Sequence, residues 1–271
     1  MDTPRRFNIE SSTVQPFISV VIPAYNEEEG IRSSVLSVMA AAKQAGDIPI
    51  EIIIVNDGSR DRTAEAVRRL ESEFPLVCSV DHPRNLGFGA SFKDGIKKAR
   101  GEKICLFPGD NATSIYSIKQ VFLHCREADV VIGYFMDTEA RSRFRNALST
   151  IFNQTYCITF GVHVKYLQGS PCYSADRLRR LAIRSDGLSI LAEINVKLLR
   201  SGASFLEVDG YYNSEVKKTS LSGIAGLTRA ALHAAWNYLG LIYEVRIKDR
   251  GRYSQRPRRI RPADAISHQG S

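Results

Sequence analysis

The sequence lacks several things, and each absence narrows the reading. No run of about 18 uninterrupted apolar residues occurs, so no membrane-spanning helix is expected. The opening stretch, Met1–Glu10, has no apolar h-region, so no signal peptide is read there. Cysteine is scarce: Cys78, Cys105, Cys125, Cys157 and Cys172 are five, an odd number with no close pair. This pattern fits a reducing compartment and argues against a disulfide framework or a zinc site. His82, His124, His163, His233 and His268 show no ligand spacing and read as structural or surface residues. Asn85–Gly89 has only two glycines and does not open the first β-α turn, so a dinucleotide fingerprint is excluded. Asp57–Asp61 lacks the later ligands of a calcium loop.

Charge is present but unevenly spread. The net formal charge is +8 over 271 residues. From Arg246 onward, eight Lys/Arg stand against Asp249 and Asp264, so most of the excess lies in the last tenth of the chain. The expected partner of that tail is anionic, such as lipid headgroups. No aromatic interleaving beyond Tyr253 accompanies it, so no nucleic-acid partner is expected.

The length suits one large α/β core with appendages, or two modest domains at most. Two apolar runs, Ile18–Pro23 and Ile50–Val55, each end in a polar cluster. The first is followed by Ala24–Gly30 and the second by Asn56–Ser59. Buried strands that stop at acids, Asn and Gly are how an open parallel sheet presents side chains at its carboxyl edge. Helical spacing over Glu28–Ala45 and Thr63–Phe74, with a third strand at Val77–Val80, predicts β-α-β-α-β. A helix follows to Ala99, then strands at Lys103–Phe107 and Val130–Gly133 flanking a helix at Ser117–Glu127. Four strand ends thus converge on one rim, and Glu27, Asp57 and Asp110 give three of them a carboxylate. One such acid reads as a cap or turn former; three together point to a ligand edge. The glycines of Asn85–Ala90 allow two readings, a plain turn or backbone N–H groups approaching an anion.

These residues resemble a known family. SVVIPAYNEEEGI, EIIIVNDGSRDRT and NLGFGASFKDGIKKARGEKICLFPGDN are similar, in order and spacing, to the motifs of family 2 glycosyltransferases of the GT-A fold. The nearest branch is the polyprenyl-phosphate synthases of the dolichol-phosphate mannose or glucose type. The resemblance runs from about Phe17 to Ser222 and is more specific in its first half. It implies a GT-A (Rossmann-like) α/β domain over 17–222, with a mostly parallel sheet flanked by helices. It implies that Pro23, Tyr25 and Glu27 line the base and ribose, that Asp57 accepts a hydrogen bond from a base N–H, and that Gly87 and Lys93 lie near the nucleotide. Asp110 falls on the last Asp of the Asp-x-Asp motif, which holds Mg²⁺ or Mn²⁺ on the donor diphosphate; Asn111 is a candidate second oxygen. Here the first Asp of that motif is Pro108. Gly169-Ser170-Pro171 departs from the family's Gly-Phe-Arg, and no Asp stands near Lys165 where the family often has one.

The reaction implied is inverting transfer of a sugar from a UDP- or GDP-linked donor. Two acceptor classes are open. A polyprenyl phosphate is already anionic and needs positioning only, whereas a glycan hydroxyl needs a base. Glu193 is the candidate base; the alternative is an ordinary i,i+4 pair with Lys197. Arg141, Arg143 and Arg145 read either as an acceptor-phosphate site or as a solvated basic face. Lys218 is the preferred phosphate ligand of a later loop. A third reading, a non-catalytic nucleotide-binding scaffold, draws on the broken Asp-x-Asp.

The remaining expectations concern the ends. Residues 1–16 read as a flexible arm, 223–249 as an amphipathic helix, and 250–271 as a basic disordered tail. Leu232, Trp236, Leu239 and Tyr243 form one apolar stripe of that helix. It suits either an anionic membrane interface or packing on the domain or a second subunit, so a homo-oligomer is compatible with it. The expected location is cytoplasmic, peripheral on the cytoplasmic face of a membrane.

Overall fold

The computed structural model describes residues 15–137, 143–214 and 234–260. One eight-stranded sheet organises them, in the order β3-β2-β1-β4-β6-β5-β7-β8. The strands are β1 (Ile18–Ala24), β2 (Ile50–Asn56), β3 (Val77–Asp81), β4 (Lys103–Leu106), β5 (Val130–Phe135), β6 (Pro171–Ser174), β7 (Ser204–Gly210) and β8 (Arg258–Arg259). All pairings are parallel except the two made by β6, which runs antiparallel to both β4 and β5.

The strand sequences explain why the sheet is a middle layer. β1 and β2 are Ile/Val-rich and buried on both faces, in register from Ile18↔Ile50 to Ala24↔Asn56. Val21 and Ile53 point into one core, Val20, Ile22, Ile52 and Ile54 into the other. That two-sided burial is what a parallel sheet requires. Helices α1 (Ile31–Gln44), α2 (Thr63–Glu73) and α4 (Ile115–Leu123) cover one face. Helices α3 (Phe88–Lys98), α5 (Arg143–Phe160), α6 (Ala175–Arg179) and α7 (Ile190–Arg200) cover the other. A last helix, α8, occupies 234–242 and widens into a π-helical turn at Tyr243–Lys248.

Pro23 sits in a central strand, normally a poor place for a residue without N–H. The β1–β4 ladder ends at Val21↔Leu106, so no donor is missed there, and the Pro23 carbonyl still accepts from Gly109 N at 3.1 Å.

The expected strands and helices of the first half are present. β6 was not anticipated, because Pro171-Cys172-Tyr173-Ser174 is short and begins with Pro. Part of the expected disordered tail is packed: Tyr253 is 1% exposed and β8 adds to β7 through Ser204↔Arg258. The arm up to residue 14, Arg141, Lys218 and the first part of the 223–249 helix lie outside the described residues.

Candidate active site

The carboxyl ends of β1, β2, β3 and β4 form one rim, stitched by side chains. After β1, Asn26 adopts a left-handed conformation, φ 57°. Its N–H donates to Ser59 Oγ (3.1 Å) and its Oδ1 accepts from Arg60 N (2.8 Å). Glu27 N donates to Thr63 Oγ1 (2.8 Å), and Glu28 N to Asp61 Oδ2 (3.2 Å). The loops after β1 and β2 are thereby zipped together, leaving the Tyr25 side chain exposed at the edge.

Glu27 stands among acids. Burial foremost, then Asp110, then Asp61, pushes its carboxyl up to about 7. The Pro108–Asn111 turn after β4 is fixed from below. Ser34 Oγ donates to Pro108 O (2.8 Å) and accepts from Asn111 N (3.0 Å). A Cβ on Gly30 would lie 2.9 Å from Gly109 O, so only glycine lets α1 approach this turn. Asp110 Oδ1 accepts from Ala112 N at 3.0 Å. Asn111 is left-handed (φ 56°), and its Oδ1 is buried without a hydrogen-bond partner.

Among the described residues, no three His, Cys, Asp or Glu side chains gather as a metal site. Mg²⁺ needs only one or two protein carboxylates where phosphate oxygens and water complete its shell. Asp110, with the orphaned Asn111 Oδ1 and the nearby Glu27, fits a cation that arrives with a diphosphate.

Asp57 is 3% exposed and heavily engaged. Its Oδ1 contacts His82 Nδ1 (2.7 Å) and accepts from Leu86 N (2.7 Å); its Oδ2 accepts from Gly87 N (2.9 Å). His82 in turn reaches Asp94 Oδ2 of α3 through Nε2 at 3.1 Å. The carboxylate therefore shapes the 84–89 loop. Gly89 N (2.8 Å) and Ala90 N (3.3 Å) donate to Asp186 O, and Lys93 pairs with the Asp186 carboxylate. The backbone donors at residues 86, 87, 89 and 90 thus all have partners within the protein. Gly87 has φ 106°, and a Cβ there would meet Asp186 O at 2.5 Å.

Glu193, in the first turn of α7, is 6% exposed and accepts three bonds. The donors are Arg184 N (2.9 Å), Ser185 N (2.8 Å) and Lys197 Nζ (2.7 Å). The fully buried Lys197 also donates to Ala182 O (2.6 Å) and pairs with Glu244 of α8 at 2.8 Å. Asn237 of α8 donates to Ser185 Oγ (3.1 Å) and Ser189 Oγ (2.9 Å). Residues 184–189 are held by the α3 loop on one side and by α7 and α8 on the other.

Beyond β5 lies a cavity of about 230 Å³. Its walls include Tyr134, Phe135, Ser149, Asn153, Lys165 and Tyr212. Phe135 stacks on Tyr212 with ring centres 3.9 Å apart, and Lys165 Nζ lies 3.8 Å from the centre of the Tyr134 ring. Arg143 and Arg145 belong to the first turn of α5, next to Asn146 on the cavity wall. Their side chains lie outside the described ones.

His82, which reads from the sequence as structural or surface, bridges Asp57 and Asp94 at the rim, and most of this cavity has no sequence signal. The signal for His82 was its place one residue past β3, on the same rim as the acids.

The description Glycosyl transferase family 2 matches residues 19–185. The chain belongs to this family. It is a glycosyltransferase of the GT-A fold. It is 32% identical over 218 residues to a dolichyl-phosphate beta-glucosyltransferase (ALG5A) of Trichomonas vaginalis, covering 72% of this chain and 67% of that protein. It is 31% identical over 137 residues to an undecaprenyl-phosphate 4-deoxy-4-formamido-L-arabinose transferase of Pectobacterium carotovorum, covering 50% and 42%. Two further Trichomonas dolichyl-phosphate beta-glucosyltransferases are matched over only 42% and 34% of their length. Among solved structures, glucosyl-3-phosphoglycerate synthase from Mycobacterium tuberculosis, in complex with Mn²⁺, UDP and phosphoglyceric acid, superposes with a TM-score of 0.61. The identity is 16%, covering 84% of this chain and 79% of that one. A further structure of the same synthase holds Mg²⁺ and UDP. At that identity the likeness speaks for the fold.

Proposed function

We propose that this glycosyltransferase moves a sugar, with inversion, from a nucleoside diphosphate sugar to a polyprenyl phosphate at a membrane surface. The observation that carries the reading is the double face of α5. Its Ser149 and Asn153 line the cavity at the rim, while Leu148, Ile151 and Ile158 point to solvent, Ile158 at 77% exposure. Neighbouring α8 does the same with Trp236 (76%), Leu239, Tyr243 and Ile247. The helices touch through Tyr156 and Tyr238, ring centres 4.9 Å apart, and through Arg246 Nε donating to Thr159 O at 3.1 Å. Two adjacent apolar stripes beside a polar cavity suit a lipid whose phosphate enters the cavity. The exposed Lys248, Arg250, Arg252, Arg256 and Arg258 add attraction to anionic headgroups. Among the described residues, no helix is long and apolar enough to cross a membrane. On this reading the protein works at the cytoplasmic face of a membrane.

On the donor side, Pro23, Tyr25 and Glu27 would line the base and ribose, with Asp57 facing the base. Gly87 would shape the adjoining loop and Lys93 would stand at its helix. Asp110 and Asn111 would hold Mg²⁺ or Mn²⁺, which, when bound, supplies Lewis acidity to the leaving diphosphate. Lys165 on the cavity wall would meet the acceptor phosphate, and Arg141, Arg143, Arg145 and Lys218 would extend that set in the sequence. A phosphate acceptor needs no base, and the three donors already on Glu193 favour it over a hydroxyl acceptor deprotonated by Glu193. Glu193 would then position the 184–189 segment.

The test is a transfer assay with labelled UDP- and GDP-sugars and Mn²⁺, offering polyprenyl phosphate in vesicles or soluble hydroxyl acceptors. Label extracted with the lipid is the expected result. Label on the soluble acceptor alone would move the reading to the hydroxyl class, and no turnover of any donor would end it.

A further inference from the structure

The Asp57–His82 pair decides how many donors a base can bring. An ionised carboxylate offers about four acceptor positions, two on each oxygen. On Oδ1, His82 Nδ1 at 2.7 Å and Leu86 N at 2.7 Å take both. On Oδ2, Gly87 N at 2.9 Å takes one. One position remains. The His82 ring cannot swing away freely: its side chain is 5% exposed and its other nitrogen faces Asp94 Oδ2, which Lys97 Nζ holds at 2.6 Å through Oδ1.

We propose that His82 is a specificity-determining residue that restricts the nucleotide site to a base presenting a single N–H, the imide of uracil. This rests on the reading of Asp57 as the base-facing carboxylate. Guanine presents N1–H and N2–H side by side and binds a carboxylate through both oxygens. Here that pose would have to displace His82 or Leu86 N from a buried Oδ1, leaving a buried donor unpaired. Uracil N3–H needs only the open position on Oδ2. His82 does not touch the reacting atoms. It acts through Asp57, by filling one oxygen.

The experiment is calorimetric titration of the full chain, with Mn²⁺, using UDP, GDP and N3-methyl-UDP. A site with one open acceptor should favour UDP over both others by about 10- to 100-fold, the range expected for an unmet donor–acceptor match. His82→Phe opens Oδ1 and should bring the UDP:GDP ratio to within about threefold. His82→Asn, whose amide can donate in place of Nδ1, should restore the wild-type ratio. A merely structural histidine would weaken all nucleotides alike. GDP binding as tightly as UDP would overturn the inference while leaving a nucleotide site in place, and so would N3-methyl-UDP binding like UDP. An unchanged ratio in His82→Phe would remove His82 from the account. Binding of no nucleotide would overturn the inference and the donor-site reading together. The comparison of UDP with its N3-methyl form uses wild-type protein and does not depend on the variants folding.

Discussion

Replacing Lys197 by Met tests how the α7–α8 junction is held. Lys197 is fully buried, and Met occupies similar space without charge. Its removal strands two carboxylates unequally. Glu193 keeps Arg184 N and Ser185 N as donors. Glu244 Oε1 loses Lys197, its only ion-pair partner among the described residues, and its Oε2 has Arg184 Nε at 3.2 Å without hydrogen-bond geometry. Removing one partner from a buried ion pair costs about 3–5 kcal/mol. That is a large share of the roughly 5–15 kcal/mol that holds a domain folded. At about 2–4 °C per kcal/mol for a chain of this size, Lys197→Met should lower the melting temperature by about 6–20 °C. Thermal unfolding followed by circular dichroism measures this. The asymmetry is a sharper check: Lys197→Met with Glu244→Gln should regain more stability than Lys197→Met with Glu193→Gln. A single variant melting within 2 °C of wild type (about 1 kcal/mol), or two double variants that behave alike, would refute the reasoning.

Other outcomes follow from the rim and the helices. Glu27 holds its proton more tightly folded than unfolded, so its contribution to stability is complete below pH 4.5 and is lost as pH rises through about 7. Glu27→Gln should flatten the dependence of melting temperature on pH across that window. Asp110→Asn can still accept from Ala112 N, so melting should shift by less than about 2 °C, while kcat/KM falls by about 100-fold or more if the carboxylate holds the cation. Trp236 is the only tryptophan, so its emission reports on α8 directly. It should shift to the blue with anionic vesicles, less so in high salt, and not with neutral ones; an unmoved spectrum would count against lipid contact.

The first half of the domain was legible because its strands are covered on both faces. Nearly pure Ile/Val runs such as Ile50–Val55, broken only by Glu51, read as strands, and the acids that follow them mark the rim. β6 was not legible, because what makes Pro171–Ser174 a strand lies elsewhere: its partners are Lys103–Cys105 and Val130–Ile132. Close approach also demands Gly169, where a Cβ would meet Gly133 O at 1.6 Å. The i,i+4 spacing suggested Glu193 with Lys197, but not its burial, which depends on Glu244 far along the chain. His82 reads from the sequence only as structural or surface because no other histidine stands at ligand spacing; its partners are the carboxylates Asp57 and Asp94. The cavity could not be foreseen, since β5, α5 and the residues after β7 meet there only in three dimensions.

The segment 184–189 behaves as a shared tether. Its Asp186 carbonyl anchors the start of α3, and its Ser185 hydroxyl is gripped by Asn237 of the helix that bears Trp236. Six residues thus join the loop beside the proposed nucleotide site to the exposed apolar face of α8. Strain applied at one end has a short route to the other, through one hydrogen-bonded junction at Ser185 and another at Asp186. Variants made on α8 to study lipid contact should therefore be scored for nucleotide affinity as well, because the two properties share a mechanical support.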